Sequence, residues 1–266
     1  VTTMADVEAY RRGSSDITAL VLREVNDVLS FLGDGNPVVI RDSLIQLLPE
    51  IVGPYIAASG ELAATWYEDL RSSAVGGTYY ATASGELNQA RIDSLVRYGV
   101  QPLFRQSSST VLSLIGGGVQ RMVSGAGRAT IANNASNDRV RVGFARVARS
   151  DACSFCGMLA SRGAVYRSEA AAGGVVGRGV SAASTAGKVG GQGRGVKARG
   201  SRMLDSSKYH DSCHCVGVPV FRGDTFVTES AAPFKAMYDA AFELNGNGAI
   251  SAKETLAQWR QVHGTK

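Results

Sequence analysis

A chain of 266 residues with 44% apolar and 19% charged residues has the balance of a globular protein that can bury a core, as one large domain or two ordinary ones. A net charge of +5 and a pI near 9.1 permit contact with nucleic acid or an acidic protein without establishing either. No apolar run approaches the roughly 20 residues that span a bilayer, and the first residues lack a basic-then-apolar leader pattern. The expectation is a soluble protein made in a reducing compartment, where clustered cysteines hold metal more often than they form disulfides.

Residues 1–32 read as a helix. Ile17, Leu20, Val21, Glu24, Val25, Val28, Leu29 and Leu32 follow the i, i+3, i+4, i+7 spacing, Ser14 to Asp16 can cap it, and Gly33-Asp-Gly-Asn-Pro37 ends it. A second helical region runs from Val38 to about Leu70. Pro49 and Pro54 inside it predict a kink or break, because each removes a backbone donor. Gly76-Gly77 opens a loop carrying Tyr79 and Tyr80. A third helix follows from Glu86 to about Phe104, bent near Pro102, and a fourth from Thr110 to Ala132. Gly116-Gly117-Gly118 interrupts the fourth, as a hinge or a close helix–helix approach. Trp66, Tyr67, Tyr79, Tyr80 and Phe104 suit core or interface better than a ligand site, since large aromatics fill cores.

After Asn133-Asn134 the texture changes. Arg139 to Val142 and Phe144 to Val147 alternate basic and apolar residues, as a helix end or a strand would. Ala164-Val-Tyr166 and Val216 to Phe221 read as short strands. Ala231 to Leu244 reads as a helix, Asn245 to Gly248 as a turn without EF-hand carboxylates, and Ser251 to His263 as a last helix with Glu254 completing a capping box.

All four cysteines fall in two clusters, Cys153-Ser-Phe-Cys156 and His210-Asp-Ser-Cys213-His214-Cys215, and two of the three histidines join the second. A Cys-x-x-Cys spacing lets both sulfurs face one ion, and zinc takes four such ligands in a tetrahedron. The donors Cys153, Cys156, His210, Cys213 and Cys215 outnumber the places. The favoured set is Cys153, Cys156, His210 and Cys215, with Cys213 competing and His214 as a further donor. Such a site is closed and structural. Two other readings stay open: thiols that are unligated or disulfide-linked across the 57-residue separation, and a redox or nucleophilic site. A thioredoxin-like motif wants a strand–helix context, and a Cys–His nucleophile pair from Cys213 or Cys215 with His210 would place base and nucleophile unusually close in sequence. His263, alone on the last helix, reads as a surface residue.

The run from Arg149-Ser-Asp-Ala-Cys153 through Cys156-Gly-Met-Leu-Ala-Ser-Arg-Gly-Ala-Val-Tyr166, followed by Tyr209-His-Asp-Ser-Cys-His-Cys-Val216 and Pro219, resembles a known signature. It is that of phage Mu protein F-like (MuF-like) minor head proteins, in the version found in tailed phages of actinobacteria. The resemblance covers Arg139 to Phe221. It implies a virion component in few copies at the portal vertex or inner capsid, partnered by portal protein or major capsid protein, acting in head assembly, DNA packaging or DNA delivery. Some relatives carry the label of capsid maturation protease, but no Ser/His/Asp set with its local motifs is present here.

The insertion from Gly173 to Arg202 has no place in that signature. It carries Arg178, Lys188, Arg194, Lys197, Arg199 and Arg202 with no acidic residue among them, spaced by Gly, Ser and Ala. Such a segment either contacts phosphates without sequence preference or is a solvated loop, and it offers no aromatic for base stacking. The expected fold is mainly α. A helical bundle over 1–135 leads into a small α+β MuF-like Cys/His module over 136–228, which carries the basic insertion 173–202. A helical segment over 229–266 follows. The expected function is a structural minor capsid protein. The rivals are a capsid maturation protease and a zinc-dependent nucleic-acid-binding module outside any virion.

Overall fold

Helix α1 spans Met4–Leu32 and stops where Gly33 turns to a φ of 58°, its N–H donating to Leu29 O at 3.1 Å. Its start corrects the sequence expectation. Val7 and Tyr10 extend the apolar stripe of Val21 and Val25 backwards, so Ser14 to Asp16 are interior rather than a cap. Helix α2, Pro37–Val75, is a single element of 39 residues, about 58 Å at 1.5 Å per residue. Pro37 occupies its first turn, and Asn36 Oδ1 accepts the Val38 N–H at 2.9 Å. Of the kink or break expected at Pro49 and Pro54, the break does not occur. Leu44, Leu48, Val52 and Ile56 are buried in one i, i+4 row across both prolines. Burying each gains about 1.5–3 kcal/mol, together about 6–12 kcal/mol, which matches or exceeds the roughly 6 kcal/mol that two interior prolines cost.

These coordinates come from a computed structural model that describes residues 2–33, 35–105, 110–163, 215–243 and 252–264. Among them are seven α-helices and one two-stranded sheet, a mainly α fold as expected. Helix α3 is Gln89–Gly99, capped by Asn88, whose Oδ1 accepts the Arg91 N–H at 3.1 Å. It is shorter than the pattern suggested, because Pro102 falls in a separate 3₁₀ turn, Gln101–Arg105. Helix α4, Val111–Asn137, runs unbroken through its three glycines, all of them buried. A methyl group at Gly118 would overlap Leu95, one at Gly99 would overlap Ile115, and one at Gly116 would sit 3.2 Å from Leu22. The glycines therefore serve close helix approach, and the hinge alternative falls.

Two units divide the described residues. In the first, residues 5–134, contacts run in antiparallel register. Along α1 and α2, Tyr10 stacks on Trp66 at 4.3 Å, Gly13 faces Leu62, and Tyr55 Oη donates to Glu24 Oε1 at 2.5 Å. Along α1 and α4, Leu22 meets Gly116 and Tyr10 meets Gly127. The core between these helices is aliphatic, built on Val21, Leu44, Leu48, Ile92, Ile115 and Val119.

The second unit comprises residues 135–163, 215–243 and 252–264 with the N-terminal residues up to Met4, and the Thr2 N–H donates to Asp224 Oδ2 at 3.4 Å. Strand β1, Gly143–Val147, pairs antiparallel with β2, Val216–Val220, from Gly143↔Val220 to Val147↔Val216. Helix α5 is Ser154–Ala160, α6 Phe226–Glu243 and α7 Ala252–His263. Asp224 Oδ1 accepts the Phe226 N–H at 3.0 Å, which starts α6 before the expected Ala231. Helix α5 packs on β1, α6 and α7. At Gly157 an added methyl would come within 2.9 Å of Trp259, so glycine sets how near α7 lies. Phe144, Met158, Leu159, Val218, Phe234 and Trp259 form the core. The strand expected at Ala164 to Tyr166 and the turn at Asn245 to Gly248 lie outside the described residues.

Candidate functional site

The Cys-x-x-Cys segment is a helix start. Cys153 is the N-cap of α5, its Sγ accepting the Cys156 N–H at 3.5 Å while its carbonyl accepts the Gly157 N–H at 2.9 Å. The chain reaches it from β1 through a turn closed by the Ala152 N–H on Arg149 O at 3.0 Å. An exposed Arg149–Asp151 pair at 3.1 Å spans that turn, worth about 0–1 kcal/mol. Cys215 directly precedes Val216, the ladder partner of Val147. The sheet therefore brings Cys215 to the same end of the ladder from which the chain proceeds to Cys153. Cys156 and Cys215 are 3% and 5% exposed, and Cys153 is half-buried. From α7, Arg260 Nε donates to Ser154 Oγ at 3.3 Å, setting a cation beside the segment between the two sulfurs.

Sulfur donors of this kind suit zinc. Among the described residues no three His, Cys, Asp or Glu side chains group to hold an ion. His210, Cys213 and His214 lie outside those residues, as do all six basic residues of the insertion, Arg178, Lys188, Arg194, Lys197, Arg199 and Arg202. His263 is exposed as expected, with Nε2 3.1 Å from Met237 O and its ring 5.4 Å from Trp259. Of the aromatics, Trp66 and Tyr67 are core residues, whereas Tyr80 at 84% and Phe104 at 48% exposure are not.

Sequence reasoning missed a second constellation, in the first unit. The segment between α2 and α3 is an extended strap held by side chains on both sides. Toward α4, the Thr82 N–H donates to Asn134 Oδ1 at 2.9 Å and the Thr82 carbonyl accepts from Asn134 Nδ2 at 2.9 Å. Thr130 Oγ1 accepts the Ser84 N–H at 2.8 Å and lies 3.3 Å from the Ser84 carbonyl. Toward α2, the Ala81 N–H donates to Glu68 Oε1 at 2.7 Å. Beside the strap lies a cleft of about 560 Å³ lined by Ala57, Glu61, Ser84, Glu86, Ala129 and Asn133. The available signal was Thr130 and Asn134, polar residues one turn apart on a helix face that is otherwise apolar or glycine.

Among the described residues no helix is long and apolar enough to cross a membrane. No curated protein and no solved structure matches the chain. A family model described as VG15 protein matches residues 1–241. That match begins well before the cysteine signature, so the N-terminal helices belong to the same pattern as the β-pair and its cysteines. The chain is thus a member of the VG15 protein family, a family of phage-related proteins.

Proposed function

We propose that this chain is a minor head protein of a tailed phage, MuF-like in its cysteine module, bound near the portal or inner capsid. It acts structurally in head assembly, DNA packaging or DNA delivery. The observation that carries the reading is the cysteine signature, in order and spacing, inside a chain of a phage-related family. The burial of Cys156 and Cys215 in a packed core, rather than at an open cleft, favours a structural use of the sulfurs.

In this reading four donors drawn from Cys153, Cys156, His210, Cys213 and Cys215 hold one zinc ion, with His210 or Cys213 required because the three described cysteines do not group around an ion by themselves. A closed four-ligand site ties the two ends of the excursion between Cys156 and Cys213 and leaves no position for substrate. The basic residues Arg178 to Arg202 neutralise DNA phosphates, with an affinity that falls as salt rises. The test is co-purification with portal protein and with procapsids. A fixed low copy number without cleavage of scaffold or capsid protein is the expected result. Specific cleavage lost in Cys213→Ala or His210→Ala would replace the structural reading with the protease one, and absence from both particles would overturn it.

A further inference from the structure

Six of the twelve large apolar side chains that stand exposed among the described residues belong to one end of the first unit. Phe31, 88% exposed, lies in the last turn of α1. Val38 and Val39 lie in the first turn of α2, and Leu112 in the first turn of α4. Tyr98 stands at the end of α3, and Phe104 in the 3₁₀ turn that follows it.

Packing brings these termini together. Leu22 meets Gly116 and Tyr10 meets Gly127, so α1 and α4 run antiparallel. Gly99 faces Ile115 and Gly118 faces Leu95, so α3 and α4 do too. Gln89 Nε2 donates to Ile45 O at 3.4 Å, which sets the start of α3 beside the second turn of α2 and beyond. The other end of α3 then reaches the tip of α2. There the Asp42 carboxyl is held below the ordinary range, first by its hydrogen bond from Arg41 Nε at 2.8 Å, with the Arg97 charge adding to it.

We infer that this end of the helical unit is a docking surface for an acidic amphipathic helix of a partner protein. Single exposed apolar residues are ordinary, but a group of them across four helix ends marks contact with another molecule. Charge selects the occupant. Arg97 precedes Tyr98 and Arg105 follows Phe104, and both arginines are exposed, with no ion-pair partner among the described residues. Arg41 and Asp42 neutralise each other, and Asp27 stands one turn before Phe31 on α1.

The surface is therefore apolar on its α1, α2 and α4 sides and cationic along its α3 side. Arginines next to aromatics are the residues that anchor protein interfaces. An amphipathic helix with carboxylates on one flank supplies the complement, its apolar stripe covering the valines and Phe31 while its acids meet Arg97 and Arg105. Nucleic acid is the poorer match, because phosphate binding draws on many cations and the aliphatic side chains would gain nothing from it. An anionic bilayer would meet Asp27 and Asp42 at the same end. Nothing in this inference depends on the proposed place in the virion.

The full chain, labelled with nitrogen-15, is titrated with two helical peptides that share one leucine and phenylalanine stripe. One peptide carries glutamates beside the stripe and the other lysines. The glutamate peptide should shift the amide signals of Val38, Val39, Tyr98 and Leu112, and the lysine peptide should leave them in place. Arg97→Glu with Arg105→Glu should reverse that preference, and Phe31→Ser should weaken the glutamate peptide about tenfold. All three substitutions fall on exposed side chains, so helical circular dichroism should not change. Failure of both peptides to bind, or a preference unmoved by the charge reversal, would overturn the surface. Duplex DNA or phosphatidylglycerol vesicles shifting the same signals at lower concentration than the glutamate peptide would replace the partner helix with that ligand.

Discussion

At Asn134 a single amide closes four hydrogen bonds, and at Thr130 one hydroxyl proton is shared between the Ala126 carbonyl at 3.0 Å and that of Ser84. Losing such a partner leaves buried peptide groups bare, at about 1–3 kcal/mol. Asn134→Ala is expected to lower unfolding stability by about that amount in urea titration. The glycines divide in the same way. Gly53 on α2 has nothing within 4 Å of an added methyl, whereas Gly118 has Leu95. Gly53→Ala should stabilise by about 0.5–1 kcal/mol, and Gly118→Ala should destabilise by about 1–3 kcal/mol. Tyr55, by donating to Glu24, is held above the usual tyrosine range, with partial burial and the Glu24 charge adding in the same direction. A raised folded value means the stabilisation is complete below the ordinary tyrosine range and lost as pH climbs through the folded one. Tyr55→Phe should remove one late-titrating tyrosine from the alkaline ultraviolet titration.

Helices were legible where burial follows period. Val21, Val25, Leu44, Leu48, Ile92, Ile115 and Val119 all lie on stripes that the spacing displays. The local stop at Gly33 was legible, whereas the N-caps Asn36 and Asn88 were not read as such. Pro49 and Pro54 do not break α2, because their penalty is local while the row of buried aliphatics that overrides it is a tertiary property. The three glycines of α4 could be settled only by their neighbours, Leu22 on α1 and Leu95 on α3, which no spacing within α4 reveals. The strap was read as a loop, since its hydrogen bonds go to side chains more than 40 positions away, at Thr130 and Asn134. Pro54 is solvent-exposed on α2. Pro54→Ala should therefore raise stability, by about 2 kcal/mol after allowing for the freer unfolded chain, as read by thermal or urea unfolding.

For the molecule as a whole, the two units have separate cores, so damage to one should be visible apart from the other. If the sulfurs tie the second unit as proposed, Cys153→Ser or a zinc chelator will speed hydrogen exchange in β1, β2 and α5 and leave α2 and α4 protected. Uniform exchange rates across both units would argue against a clamp. The cysteine clusters were legible as a pair of segments because their spacing is tight. That Cys215 stands at the end of the ladder from which the chain proceeds to Cys153 was not, because it depends on the register Val147↔Val216, and the sequence contains no turn that announces it.

That register also has a consequence for biosynthesis. On a ribosome, residues up to Asn134 are complete before either strand has emerged, so the helical unit can settle first. The ladder must wait until Val220 is made, closing roughly 70 residues of intervening chain at an entropic penalty that grows only logarithmically with that length. The ladder is therefore a late fastening: a nascent chain truncated inside the excursion would leave β1 without its mate, an open strand edge exposed to aggregation in the cell.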